Sequence, residues 1–103
     1  MLACQWHLDV PFGKQKEVIE IMKKWDAEME SSGLPKPQSH RTLVGHIGTS
    51  PTHVINEWVV PSLSDWEAML KLVGTGKYQK YSESLAPYIV PGSQHWVILR
   101  VVE

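Results

Sequence analysis

The stretch that decides the fold is residues 38–60, QSHRTLVGHIGTSPTHVINEWVV. Its first half alternates: His40, Thr42, Val44 and His46 share one side, and Arg41, Leu43, Gly45 and Ile47 the other. That is the period of an extended strand, running from Gln38 to Gly48. Gly48-Thr49-Ser50-Pro51 is a turn by composition. Thr52 to Val60 is a second extended run, rich in branched and aromatic residues (Val54, Ile55, Trp58, Val59, Val60). Two strands joined by four turn residues read as a hairpin.

On the N-terminal side of the hairpin the period changes. Val18, Ile21, Met22, Trp25 and Met29 recur at three- and four-residue spacings, the apolar stripe of a helix from about Gly13 to Ser31. Lys14, Lys16, Glu17, Glu20, Lys23, Lys24, Glu28 and Glu30 fill most of the remaining surface, which reads as a solvated face. Ser31-Ser32-Gly33 stops the helix, and Pro35 and Pro37 keep it from resuming. Before it, Cys4, Trp6, Leu8 and Val10 alternate with Ala3, Gln5, His7 and Asp9, which makes Leu2–Val10 a strand closed by Pro11-Phe12-Gly13.

On the C-terminal side, Pro61 ends the hairpin and a second helix begins. Ser64 with Glu67 forms one capping-box pattern, and Ser62 with Asp65 is a competing start. Leu63, Trp66, Met69, Leu70 and Val73 give its stripe, and Gly74-Thr75-Gly76 breaks it. Lys77–Leu85 reads as a short helix, and Ser93–Val102 as a last strand that is apolar on both faces. The order is β-α-β-β-α-(α)-β. Two β-α-β halves joined through a central hairpin make the ferredoxin-like split βαβ, an α+β fold over residues 1–103. Right-handed crossovers place the helices on one face of a four-stranded antiparallel sheet. The other face is bare and carries apolar residues of the third and fourth strands, so a second copy is expected to cover it.

Composition narrows the function. At 103 residues the chain has room for one core, and 43% hydrophobic with 20% charged residues is ordinary for a globular domain. A net charge of −1 supplies no basic field, so nucleic acid is not an expected partner. No apolar run reaches the roughly 18 residues that span a bilayer, and the opening residues lack the regions of a signal peptide. The one cysteine, Cys4, fits a reducing compartment, so the expected location is cytoplasmic.

The residues Asn56-Glu57-Trp58, Ser62-Leu63-x-x-Trp66-Glu67-Ala68-Met69, Tyr78-Gln79-x-Tyr81 and Ala86-Pro87-Tyr88-Ile89-Val90 resemble the C-terminal part of NIPSNAP-like proteins. Ile98-Leu99-Arg100 fits that comparison too, and the element order resembles the wider dimeric α/β-barrel group, including EthD-like proteins and antibiotic-biosynthesis monooxygenases. The resemblance implies a homodimer with a pocket between sheet and helices in each subunit. The group it points to includes cofactor-independent monooxygenases, isomerases and haem-handling proteins, and fold alone does not choose among them.

Three residues are candidates for catalysis. His7 is the first, because a neutral histidine titrates near working pH and the first strand is central in this fold. His40 is the second, at the pocket mouth. Arg100, inside an apolar run, is expected either to pair with Glu57 or to bind a substrate carboxylate or enolate. Gln5, Glu57, Trp58, Trp66, Tyr78, Tyr81 and Trp96 are the candidate pocket lining, suited to an apolar or aromatic small molecule. Core and dimer interface is the plain alternative for the aromatics, and a structural or exposed histidine for His7. His46 and His53 flank the hairpin turn and read as solvated, and His95 as an edge or interface residue. His40 and His46 lie about 20 Å apart along a strand. No H-x-H, H-x-x-x-H or H-E-x-x-H spacing occurs, so a metal site is not expected; no other cofactor is expected either. The function read here is a homodimeric barrel binding a small apolar or aromatic compound, with cofactor-independent oxygenation or isomerisation as its chemistry, His7 as base and Arg100 or His40 as anion stabiliser. A non-catalytic binding protein and a haem-binding barrel with a histidine axial ligand remain open beside it.

Overall fold

The computed structural model describes residues 1–31 and 37–102. Ser32-Gly33 and Pro35 of the expected helix stop lie outside the described residues. The elements are β1 (Leu2–Asp9), α1 (Gln15–Ser31), β2 (Ser39–Val44), β3 (His53–Val60), α2 (Leu63–Val73), α3 (Gln79–Leu85) and β4 (His95–Arg100). Single turns of 3₁₀ helix, Gly76–Tyr78 and Ala86–Tyr88, flank α3. The four strands form one antiparallel sheet in the order β2-β3-β1-β4, the split βαβ arrangement.

Most boundaries shift by a residue or two from the sequence reading, the last strand from Ser93–Val102 to His95–Arg100 among them, and two differences have a local cause. β2 ends at Val44 because the chain folds tightly back at Gly45, where a Cβ would sit 1.9 Å from the carbonyl oxygen of Ser50. His46 and Ile47, assigned above to the strand, are therefore in the connecting loop. At α2 the competing start prevails. Ser62 is the N-cap, accepting from the Asp65 amide at 3.4 Å and donating to the Asp65 carboxylate at 2.6 Å.

Register divides the side chains. Cys4 faces Trp58 and Ile98, Trp6 faces Asn56 and Trp96, and Leu8 faces Val54, all on the side that receives the helices. Leu8, Val18, Val54 and Leu85 are fully buried there, with Met22 and Trp25 packed among them; Cys4 and Val60 join Trp58 and Met69 in a second cluster toward α2. The opposite side of the same strands carries Gln5, His7, Asp9, Arg41, His53, Glu57, His95, Val97 and Leu99. Leu99 is half exposed on that side. No helix among the described residues is long and apolar enough to cross a membrane.

Candidate active site between sheet and helices

A cavity of about 240 Å³ lies between the sheet and α1 and α2. Its sheet wall is Trp6, Asn56, Trp58 and Trp96, and Trp25 and Asp26 of α1 face them. The alternation of β1, β3 and β4 delivers the three strand tryptophans to this side, and the helical period delivers Trp25. The rings hold one another at defined angles. Trp6 meets Trp25 edge-on at 6.4 Å and stacks on Trp96 at 6.4 Å, while Trp58 and Trp66 both meet Trp96 edge-on, at 5.5 and 5.3 Å.

Asp26 is the ionisable group of this cavity, and it also lines a second recess of about 330 Å³ with Glu30, His40, Trp58 and Met69. Asn56, only 5% exposed, donates from Nδ2 to Asp26 Oδ2 at 3.2 Å. His40 Nδ1 lies 3.6 Å from the same oxygen, and His40 Nε2 lies 3.6 Å from Glu30 Oε2. Burial raises the Asp26 pKa above the ordinary carboxylate value and Glu30 adds to it, while His40 and the Asn56 hydrogen bond oppose the rise. A carboxyl held this way keeps its proton to a higher pH than an exposed one.

Of the residues singled out from sequence, Trp58, Trp96 and His40 are at these recesses. Trp66 touches the cavity wall through Trp96. Tyr78 is a core residue, 3% exposed, and Tyr81 stacks on Trp25 at 5.8 Å. His7, Gln5 and Glu57 are on the opposite sheet face, since odd-numbered residues of β1 and β3 point away from the helices. The expected Glu57–Arg100 pair does not form. Arg100 lies opposite Leu2 on the helix side of the sheet and is exposed, whereas Glu57 takes Arg41, with Nε to Oε1 at 2.7 Å. Burial works to raise the Glu57 pKa, but the hydrogen bonds from Arg41 and Gln5 and the charge of Arg41 outweigh it, and the net shift is downward.

His53 is not solvated as expected. Its ring lies between Asp9, 2.8 Å from Nδ1, and His7, 2.7 Å from Nε2. His95 stacks on His7 at 4.9 Å. Among the described residues no group of three or more His, Cys, Asp or Glu is arranged to hold a metal ion.

Asp26 and Asn56 were not singled out, although both leave a trace in the sequence. Asp26 falls between Met22 and Met29 on the apolar stripe of α1, and Asn56 interrupts the face shared by Val54, Trp58 and Val60. A polar residue on an apolar face is the signal that marks such positions.

No protein-family model and no curated protein matches the sequence significantly. Solved structures do match. A NIPSNAP family protein from Agrobacterium tumefaciens is 22% identical, with 99% of this chain and 86% of that one aligned at a TM-score of 0.71. A NIPSNAP domain protein from Burkholderia xenovorans is 17% identical, with 99% and 95% covered and a TM-score of 0.73. An antibiotic biosynthesis monooxygenase is 11% identical over the whole of both chains, at a TM-score of 0.71. The chain therefore has the ferredoxin-like α+β fold shared by NIPSNAP family proteins and antibiotic biosynthesis monooxygenases.

Proposed function

We propose that this protein binds a small aromatic compound carrying a hydroxyl or carbonyl group in the cavity between sheet and helices. Asp26 and His40 then move a proton at that group. The observation that carries this reading is the composition of the cavity wall: tryptophans on the sheet and on α1, with one carboxylate that burial holds at a raised pKa. Tryptophan faces suit a planar apolar body, and Asn56 with Asp26 supplies the polar contact that orients it. Asp26 is the proton acceptor at the substrate, and His40 receives or returns the proton from the side of the second recess. Removing a proton from an acidic O–H or C–H is the first step both of cofactor-independent oxygenation and of isomerisation, the reaction classes that the resemblance suggests.

In this reading the protein is a cytoplasmic homodimer, each copy covering the other's open sheet face. The apolar residues Ile55, Val59, Val97 and Leu99 on that face support the pairing, as does the resemblance to dimeric barrels.

The test is a tryptophan-fluorescence titration with 2-naphthol, repeated on Asp26→Asn and His40→Gln. Saturable quenching that weakens at least tenfold in Asp26→Asn supports the site. Absence of saturable quenching, or equal affinity in wild type and Asp26→Asn, overturns it. Tight binding of aromatic hydroxy compounds with no turnover of any of them under air leaves a binding protein and removes the proton-transfer step.

A further inference from the structure

The open sheet face carries a chain of hydrogen bonds whose proton count does not close with neutral rings. Arg41 Nε donates to Glu57 Oε1 at 2.7 Å, which keeps that carboxyl ionised and purely accepting. Gln5 must therefore turn its NH₂ group to Glu57, and its Nε2 lies 2.8 Å from Glu57 Oε2. The Gln5 carbonyl oxygen is then left facing His7 Nε2 at 3.0 Å, and this bond needs a proton on the ring nitrogen. At the other end, the Asp9 carboxylate lies 2.8 Å from His53 Nδ1 and needs a proton there. Between the two rings, His7 Nδ1 and His53 Nε2 are 2.7 Å apart, a contact that needs one further proton.

Two neutral imidazoles bring two protons, one each. The three bonds require three. We propose that the His7–His53 pair is a proton-binding site, holding one proton between its facing nitrogens as an imidazole–imidazolium bridge clamped by the Asp9 carboxylate and the Gln5 carbonyl.

The surroundings on every neighbouring strand fit one added charge and resist a second. Asp9 on β1 balances the bridge, and Arg41 on β2 balances Glu57 on β3, so the face stays close to neutral. His95 on β4 stacks on His7 at 4.9 Å and lies 6.5 Å from His53. A fourth proton would set two cations nitrogen to nitrogen. Burial of the His7 ring lowers its pKa, and repulsion from His53 and His95 lowers it further.

Where this face meets a second copy, each copy brings one such bridge, and gaining or losing its proton changes the charge of each covered face by one. That consequence rests on the dimer proposed above; the bridge itself does not.

The proton is read directly from long-range ¹H–¹⁵N spectra of full-length protein labelled at histidine nitrogen, recorded from about pH 5 to about pH 9, a range spanning the ordinary histidine titration. At about pH 7 the expected result is protonated-type shifts at both His53 Nδ1 and His7 Nε2, with averaged shifts at the two facing nitrogens. A plainly unprotonated nitrogen at either outer position overturns the bridge, because the pair then holds only two protons. Asp9→Asn is expected to weaken the shared proton's affinity about tenfold, moving its loss about one pH unit lower; an unchanged titration refutes the clamp. The wild-type spectra decide the question even if Asp9→Asn does not fold. Sedimentation of the wild type across the same pH range reads the pairing separately, so a monomer at every pH refutes the dimer and leaves the bridge standing.

Discussion

The two faces of the sheet are made from alternate residues of the same four strands, yet they treat polar groups in opposite ways. On the open face Arg41, Glu57, Gln5, His7, His53 and Asp9 are linked end to end, each bonded to the next. On the helix face the polar groups are few and set among tryptophans, and Asp26 receives a hydrogen bond from Asn56 beside empty volume. A chain of groups bonded end to end leaves each little capacity to spare for a ligand. A carboxylate with bonding capacity to spare at a cavity wall is available to a ligand. The histidine that looked most reactive from sequence, His7, belongs to the first kind, and an aspartate hidden in a helix stripe belongs to the second.

Several substitutions set these faces against each other. Leu8→Ala on the helix face is expected to cost about 2–5 kcal/mol, because the side chain is fully buried and the packed core closes only partly over the gap. Leu99→Ala, half exposed on the open face, is expected to cost about 1 kcal/mol or less at low protein concentration. Urea denaturation compares the two. If the open face is covered by a second copy, the Leu99 effect grows with protein concentration while the Leu8 effect does not.

Arg41→Ala leaves the buried Glu57 carboxylate with Gln5 alone. The expected result is a lower urea midpoint, the drop kept modest because the Arg41 side chain is itself largely exposed. An unchanged midpoint means that the chain on the open face is ornamental. Asp26→Asn is expected to change stability by less than about 1 kcal/mol, since burial already disfavours its charge, while weakening aromatic binding at least tenfold. Stability and affinity falling together in that variant means that Asp26 is structural, like its counterparts on the other face.

The smallest expected effect is the pH dependence from His7. Burial and repulsion from His53 and His95 lower its folded pKa, which opposes adding a second charge to the His7–His53 pair. Below neutrality the unfolded chain therefore binds more protons than the folded one. The stability it contributes is present above the unfolded histidine pKa, about 6.5, and is lost as pH falls through the lowered folded value. Urea midpoints at pH 7 and pH 5 are expected to fall more in wild type than in His7→Gln; equal falls place the titration elsewhere.

Much of this arrangement was legible before the fold. The alternation in Leu2–Val10 already placed Trp6 and Leu8 together and His7 with Gln5 and Asp9, and the structure keeps both sets. The hairpin, both long helices and the short α3 appear where periodicity put them. The errors fall where a local pattern had two readings. The strand period runs on past Val44 through His46, but the close approach of the backbone at Gly45 ends the ladder. Two serines each competed to cap α2, and Ser62 takes the role, its hydroxyl bonded to both the amide and the carboxylate of Asp65.

The partners of the charged residues were of a different order. Glu57 was matched with Arg100 because both interrupt apolar strands, but the pairing depends on which face each occupies, and the β2–β3 register sets Arg41 beside Glu57 instead. His53 lies 46 residues from His7 and 44 from Asp9, and Asp26 lies 30 from Asn56. Nothing in the chain near any of them names the other.

What the sequence determined alone is therefore whatever repeats over a few residues: the strand and helix periods, the order of elements, and the sides on which neighbours in one strand must lie. Those follow from backbone geometry, which is local and the same for every chain. The meeting of Asp26 with Asn56 and His40, the tryptophan cavity beside them, and the His7–His53 contact were decided only by tertiary structure. A one-residue slip of register exchanges the two faces of a strand, so contacts between strands and helices are set by the packing of the whole domain.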